Sequence, residues 1–584
     1  MSVISDRKSI GTSILKSNSS LREEAMRKSK QIRFADEKLS SVKEILNNAA
    51  EGNNKEYMDL IYRISIPNIT DENLMKALTE SINCIQVFKI DFKLFVETLL
   101  KVKWIRRSRE CIELYHKFIL CLLTAKPEFL AICTLKILSI FIPDDDDLPL
   151  WKNGLPNKKL DESLQMVHDL IKKILEVIPM LPVTMKKNIR EMFPSKKNES
   201  IKCAGYVYNI LKILDYCPNM MSDILDIILE ILLSIDVHTS REQIEDAEEE
   251  EVIDENNETM AEIDDEDKMK LPVAETLDLC MNLLFDYFYS KLNSETETSN
   301  NDQKLLQHAL FLYFDEHILT TKNSKHVHFL FFYIASFRRS FLNYFLQNLL
   351  SKMLDRNKPT IIRQTAIGYL SSLLARAKFM PIELVKKYLL HLTKFAHDYI
   401  QTCNSIKINL NPRAHLVFHA TCQAIFYVIA FRSKDLDLIN SKKNLKFLLS
   451  LDLSPIVKHS LNPLNYCLPS ISEVFDNVMK KYQILYCHTI LAKNKSKKIP
   501  VAITKTEEIL QPEEFIESVF PFDPYILKKS GKKIHPIYVE YQPIENVEEE
   551  ISPTSQKRIR NESECDDFYI VPTKKLKTDI LSFE

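Results

Sequence analysis

The sequence predicts an all-α protein, a solenoid of HEAT-type helical repeats with an acidic disordered insertion and disordered termini. Glycine supplies only 6 of the 584 residues, against a usual share of about 7%. Because tight hairpins need glycine, an all-β or barrel fold is disfavoured. Amphipathic helical segments follow one another along most of the chain, and pairs of them recur at roughly 40 residues, the HEAT or armadillo period.

The N-terminal half begins with residues 1–35, which are rich in Ser, Lys and Arg without a helical period and should be disordered. Residues 36–240 hold successive amphipathic segments punctuated by Pro, Asp or Asn, and we predict N-terminal HEAT repeats there. An apolar face such as that of 224–235 cannot be covered within one helical hairpin. Neighbouring helix pairs must therefore stack.

An acidic loop is predicted at 241–270. Between positions 242 and 267 there are fifteen Asp or Glu and no Lys or Arg. Repulsion between like charges should keep this segment extended and solvated. Without these fifteen residues the chain holds 78 basic against 65 acidic side chains, so the folded body is basic. The loop either masks a basic surface or is a solvated spacer.

Residues 271–495 are predicted to form the C-terminal HEAT repeats, with a helix over 359–378 at their centre. Pro359 suits its first turn, and the apolar side chains share one face. Three basic residues of this segment are left to meet a partner: Arg363, Arg376 and Lys378. The eighteen uncharged residues 414–431 contain polar side chains and predict a buried core helix rather than a membrane span.

The C-terminus is predicted to be an irregular, Pro-punctuated extension at 496–544 and a disordered tail at 545–584. Two basic clusters in the tail resemble a bipartite nuclear-import signal, with chance clustering in a Lys-rich tail as the alternative. The clusters are Lys557, Arg558 and Arg560, then Lys574, Lys575 and Lys577. Ser552 before a proline suits a proline-directed kinase, and Ser563 before acidic residues an acidophilic one.

No motif for catalysis or for a cofactor is present in the sequence. No two glycines are closer than 41 residues, which excludes the nucleotide-binding fingerprints and the G-x-S-x-G nucleophile turn. The closest cysteines are ten apart, so no C-x-x-C motif exists. His415 and His419 have the spacing of helical zinc ligands, but no third ligand is evident, and core histidines are the preferred interpretation. We predict no enzyme, no metal and no cofactor.

Cysteines within apolar helical runs fit a reducing compartment, and the N-terminus lacks a signal-peptide pattern. These features predict a soluble intracellular protein without a membrane partner. Arginine adjoins aromatic residues at 104–109 and 336–339, yet no recognition helix, finger or RRM motif accompanies either stretch. We interpret both as solvated helix ends and expect direct DNA binding to be weak or absent.

Several long strings resemble one protein family. They include HFLFFYIASF (328–337), NKPTIIRQTA (357–366), YLSSLLARAKFMP (369–381), CQAIFY (422–427) and FPFDP (520–524). On these strings the chain resembles the RNA polymerase I-specific transcription initiation factor family. The similarity extends over about residues 30–540 and is strongest from 326 to 470.

The resemblance implies a HEAT-type solenoid that binds RNA polymerase I near its stalk and makes it competent to initiate. It implies that the factor bridges the polymerase to the promoter-bound core factor at ribosomal RNA genes, in the nucleus and nucleolus. An acidic loop, regulation by phosphorylation of surface serines, and self-association of the free form are implied as well. The alternative is another nuclear HEAT-repeat scaffold or a transport-type adaptor, a class that is usually longer and acidic throughout.

Our candidate regulatory site is the connector 193–200. Ser195 and Ser200 flank Lys196 and Lys197 on a predicted helix–helix turn. A phosphate adds about −1.5 to −2 charges. Phosphorylation there would oppose docking on an acidic partner.

Overall fold

The structure is a computed structural model of the chain. It describes residues 41–66, 69–88, 90–195, 199–254, 267–293, 299–404, 411–436, 441–498 and 520–541. These residues are mostly α-helical, with a single two-stranded hairpin among them, and the predicted all-α class is confirmed. The chain divides into two compact units, residues 1–129 and 130–584.

The first unit is a set of stacked helical hairpins. Its α-helices are α1 (Val42–Ala50), α2 (Lys55–Ser65), α3 (Asp71–Asn83), α4 (Lys93–Leu100) and α5 (Arg109–Ala125). Helix α1 begins at Ser41, whose side chain forms a capping box with Glu44. Each helix packs on its neighbour or on the next helix but one, for example α2 on α4 and α3 on α5. This alternation is typical of helical repeats.

The second unit begins with seven further α-helices and a hairpin. They are α6 (Leu130–Ser139), β1 (Trp151–Lys152), β2 (Leu155–Pro156), α7 (Lys158–Val177), α8 (Leu181–Glu191), α9 (Ser200–Ile213), α10 (Met221–His238), α11 (Arg241–Asp254) and α12 (Pro272–Leu292). Helix α6 packs on α8, and α9 packs on α12. The acidic helix α11 is therefore an insertion in the order of packed repeats.

The remaining helices complete the second unit. They are α13 (Ser299–Tyr313), α14 (Phe329–Phe337), α15 (Arg339–Leu354), α16 (Thr360–Arg376), α17 (Ile382–Asn404), α18 (Leu416–Phe431), α19 (Lys442–Ser450), α20 (Leu453–Val457), α21 (Pro469–Lys481), α22 (His488–Lys498) and α23 (Lys528–Ile534). Helix α18 packs on α16, α17 and α21. Although Pro412–Phe431 is long and apolar enough to cross a membrane, every side chain from Val417 to Ala430 is buried here, as predicted for a core helix.

A short hairpin that the sequence did not predict lies between α6 and α7. Gly154 at its tip has a φ of +79°, and a Cβ there would lie 2.9 Å from the Ala204 Cβ of α9. A Cβ on Gly205 would lie 2.6 Å from the Pro143 Cγ. Two of the rare glycines thus allow the hairpin and its preceding loop to pack closely against α9.

The acidic insertion differs from the extended segment that the sequence predicts, because its first part, α11, is helical. Ser240 and Gln243 exchange capping hydrogen bonds of 3.1 and 3.2 Å, and Arg241 pairs with Glu245 at 2.6 Å. Ile244 is buried. A cap, an i,i+4 ion pair and one buried apolar contact outweigh the repulsion among the carboxylates.

Residues 520–541, which we call the C-terminal strap, lie within the predicted irregular extension, and they are mostly irregular with one short α-helix. The strap contains helix α23, which packs on α12 and α14. Six of its large side chains are buried: Phe520, Phe522, Tyr525, Leu527, Ile534 and Tyr538. The strap is therefore part of the core of the second unit.

Main-chain hydrogen bonds attach the strap to helix α16. The Phe522 N–H donates to the Ser372 Oγ at 3.1 Å, and the Val539 N–H donates to the Arg376 carbonyl at 2.8 Å. The Lys378 N–H donates to the Ile537 carbonyl at 3.0 Å. Such bonds satisfy backbone groups that burial would otherwise leave unpaired.

Arg376, predicted to be free for a partner, is only 3% exposed. Its guanidinium lies 4.5 Å from the Phe431 ring centre and 5.4 Å from that of Tyr538, and its Nε donates to the Tyr427 hydroxyl at 3.2 Å. The prediction was wrong because the strap covers this end of α16. Lys378 is exposed, as predicted.

A buried carboxylate fastens the loop before α14 to the end of α10. Asp236 accepts the backbone N–H groups of Lys325 and Val327 at 2.9 and 3.0 Å, and its Oδ1 lies 2.8 Å from the His326 Nδ1. Burial acts to raise the pKa of Asp236, but the hydrogen bonds from His326 and the backbone hold that pKa well below its usual range.

Two buried histidines, His328 and His419, make the free energy of unfolding depend on pH. Burial lowers the pKa of His328 to about 4, and burial together with His415 lowers that of His419 to about 3. In an unfolded chain histidine titrates near 6.5, so below that pH the unfolded chain binds more protons than the folded one. Their stabilising contribution is complete above about pH 6.5 and is lost as the pH falls towards 4.

We expect the denaturant concentration at the midpoint of unfolding to decrease when the pH is lowered from about 7.5 to about 5. His419→Phe should reduce that fall because it removes one of the titrating groups, whereas the exposed control His238→Gln should leave it unchanged. If the midpoint changed equally with pH in wild type and in His419→Phe, buried His419 would not be a source of the pH dependence.

Candidate interaction surfaces

The predicted serine turn connects α8 and α9. Ser195 is exposed, and Ser200 is the partly buried first residue of α9. Beneath the turn, the Phe193 and Tyr206 rings meet edge to face at 5.6 Å, and the Tyr206 hydroxyl donates to the Ile189 carbonyl at 3.0 Å. These contacts hold the end of α8 and Phe193 against α9, and Ser195 is exposed.

A second acidic segment, residues 144–147, lies beside this turn, and the sequence did not predict that position. Lys202, one helical turn into α9, pairs with Asp145 at 2.9 Å and with Glu199 at 3.2 Å. The Asp145 side chain is 83% exposed. Those two carboxylates raise the pKa of Lys202, with the Asp145 hydrogen bond as the larger cause. The surface around the serines therefore carries both signs of charge.

The two arginine-containing stretches have structural contacts. Arg107 donates to the Asp71 carboxylate at 2.8 Å and to the Ile69 carbonyl at 2.6 Å. The hydrogen bond from Arg107 to the Asp71 carboxylate is the main reason why the pKa of Asp71 is lowered to about 2. Trp104 is buried and stacked on Tyr115. In the second stretch, Arg338 donates to the Gln303 side chain at 2.6 Å.

His415, just before α18, and His419, within α18, both lie in the core. His415 and His419 are both buried, the His415 Nδ1 is 2.8 Å from the Tyr399 hydroxyl, and the His419 ring packs on Tyr466 at 4.5 Å. Within the described ranges, no group of three or more His, Cys, Asp or Glu side chains is arranged to hold a metal ion.

Other predicted functional residues lie outside the described residues. They are Lys196, Lys197, Ser552, Lys557, Arg558, Arg560, Ser563, Lys574, Lys575 and Lys577. Of the predicted sites, the structure therefore places the two serines of the α8–α9 turn.

The aromatic stretch around α14 and α15 is mostly core. Phe329, Phe331 and Phe345 are buried, whereas Tyr344 is 57% exposed and contacts the ring of Phe311 at 4.6 Å. Leu312, the residue after Phe311, is also exposed. Stacked helix pairs with exposed loops and side chains of this kind define the class of helical-repeat proteins that present surfaces to other macromolecules.

Comparison with known proteins gives a more specific assignment. The family model described as RNA polymerase I specific transcription initiation factor RRN3 matches residues 34–546. A Mus musculus RNA polymerase I-specific transcription initiation factor RRN3 is 32% identical over 569 residues, which cover 92% of this chain and 86% of that protein. A Schizosaccharomyces pombe factor of the same description is 24% identical over 548 residues, covering 87% of each.

The fold agrees with that assignment. The crystal structure of an RNA polymerase I transcription initiation factor Rrn3 superposes with a TM-score of 0.67 at 20% identity, covering 85% of this chain and 97% of that one. The chain belongs to the RNA polymerase I specific transcription initiation factor RRN3 family. It is accordingly a transcription initiation factor of the RNA polymerase I system, and its function is nuclear.

Proposed function

We propose that the chain binds RNA polymerase I near the stalk, makes it competent to initiate, and bridges it to the promoter-bound core factor at ribosomal RNA genes. One observation carries the proposal: the family match covers residues 34–546 without being confined to one repeat. A surface-presenting helical-repeat fold supports a bridging role, since such folds offer long faces to several partners. The relatives matched over most of the chain are initiation factors, which favours this function over a transport-type adaptor.

The same proposal includes the finer expectations. The chain acts without catalysis, works in the nucleolus, binds DNA weakly or not at all, and self-associates when free of polymerase. The tail clusters at 557–560 and 574–577 serve as its import signal, and Ser552 and Ser563 are phosphorylated. N-terminal HEAT repeats at 36–240 and C-terminal HEAT repeats at 271–495 form the scaffold.

For regulation, we propose the α8–α9 turn. Ser195 is exposed, and Ser200 lies in the first turn of α9, within the same turn as Lys202. A phosphate on Ser200 would add negative charge at the start of α9, close in sequence to the pairs that Lys202 makes with Asp145 and Glu199. The added negative charge would repel an acidic partner docking over the turn.

Affinity purification from nuclear extract tests the main proposal. Tagged full-length chain should recover RNA polymerase I subunits, and depleted extract should regain initiation at a ribosomal RNA promoter when the chain is added back. Recovery of transport cargo without polymerase subunits would exclude the proposal.

The double variant Ser195→Asp with Ser200→Asp tests the regulatory turn. We expect polymerase binding to weaken about three- to tenfold, that is by about 0.6–1.4 kcal/mol. The fold should be preserved, because a carboxylate at the start of a helix is favourable. Ser340→Asp, on an exposed position in the first turn of α15, is the matched control and should bind normally. Unchanged affinity of the double variant would rule this surface out.

A further inference from the structure

The short helix α23 presents lysines on two faces. Lys529 and Lys533 are four residues apart and turn towards α12, where Lys529 pairs with Glu275 and Lys533 with Asp286 at 2.6 and 2.7 Å. The Lys529 and Glu275 side chains are only 9% and 4% exposed. Asp278 accepts the Ser530 N–H and hydroxyl at 2.7 and 2.5 Å. This inner face anchors α23 to the core.

The outer face holds the acidic insertion. Lys528 and Lys532 are also four residues apart, which places them side by side on a helix. The Lys528 Nζ lies 2.7 Å from the Glu248 carboxylate of α11 and donates to the Lys268 carbonyl at 3.0 Å. Lys532 pairs with Asp267. Glu248 lies in the first part of the insertion, and Asp267 and Lys268 lie near its end.

The two ends of the insertion also contact each other. The Lys270 N–H donates to the Glu248 carboxylate at 3.0 Å, and the Lys270 ammonium donates to the Glu248 carbonyl at 3.2 Å. Burial acts to raise the pKa of Glu248, but the hydrogen bonds from Lys528 and Lys270 lower it. The hydrogen bond from Lys532 lowers the pKa of Asp267. Both carboxylates are thus held in their charged form.

The outer and inner faces differ in exposure most clearly at Lys532 and Lys529, whereas Lys528–Glu248 and Lys533–Asp286 are both partly exposed. The Lys532 side chain is 62% exposed, so solvent and salt screen its ion pair. The buried Lys529–Glu275 pair is screened far less. The contacts of the outer face can therefore open while the inner face and the core stay closed.

We propose that Lys528 and Lys532 form an ionic latch. Lys528 holds Glu248 of α11 and Lys532 holds Asp267, so the two described ends of the acidic insertion are fixed against the C-terminal strap and are released when the lysine charges are screened, removed or reversed. Release would let α11 and its carboxylates move away from the basic face of α23. Acetylation of these accessible ammonium groups would have the same effect, because it removes the charge. The latch does not depend on which partner the protein binds.

Hydrogen exchange of the full-length chain, followed by mass spectrometry, tests the latch. In Lys528→Gln with Lys532→Gln, amides of 241–254 should exchange about five- to tenfold faster, while those of α12 stay as slow as in wild type. Raising the salt from about 0.05 to 0.5 M should speed exchange of α11 in wild type and have little further effect in the variant.

Two further variants make the test specific. Lys442→Gln with Lys446→Gln removes an exposed pair of lysines at the same spacing on α19 and should leave α11 unchanged. Lys528→Arg with Lys532→Arg keeps both positive charges and should keep exchange of α11 close to the wild-type rate. The proposal is overturned if exchange of α11 does not change in the double Gln variant, if α12 opens equally, or if the double Arg variant exchanges as fast as the double Gln variant.

Discussion

The burial of the C-terminal strap against α12, α14 and α16 is the interaction on which the second unit depends. Phe522 meets the rings of Phe329 and Phe332 at 5.3 and 5.0 Å, and Tyr525 meets Phe329 at 4.9 Å. Repeats in a solenoid normally contact only their neighbours. A segment that contacts three of these helices at once therefore couples repeats that would otherwise open separately.

The buried charges of Asp236 and Arg376 need hydrogen-bond and aromatic partners, and these partners come from segments distant in sequence. Asp236 needs the N–H groups of the loop before α14, and Arg376 needs the rings and hydroxyl supplied by α18 and the strap. A buried charge that loses its partners is strongly destabilising. These contacts make the strap and helices α10, α14, α16 and α18 parts of one interdependent structure, and the α8–α9 turn takes no part in them.

Helical periodicity predicted most of the helices, because each helix depends on residues close in sequence. The helix predicted over 359–378 is found at Thr360–Arg376, and the serine turn falls between α8 and α9. Distant partners could not be predicted: Arg376 is covered by Tyr538, and α11 is held by Lys528. The strap has short apolar groups separated by prolines rather than a helical period, so its buried role was invisible until the fold placed it.

The stability of Phe522→Ala is the measurement that tests this account most directly. Phe522 is fully buried, and truncating a buried phenylalanine costs about 3–5 kcal/mol. The account predicts that the free energy of unfolding of the second unit, measured with denaturant, decreases by that amount. Tyr486→Ala, at a side chain that is 67% exposed, should change stability by less than about 0.5 kcal/mol. If Phe522→Ala were as stable as wild type, the strap would be an accessory segment and the central claim would be wrong.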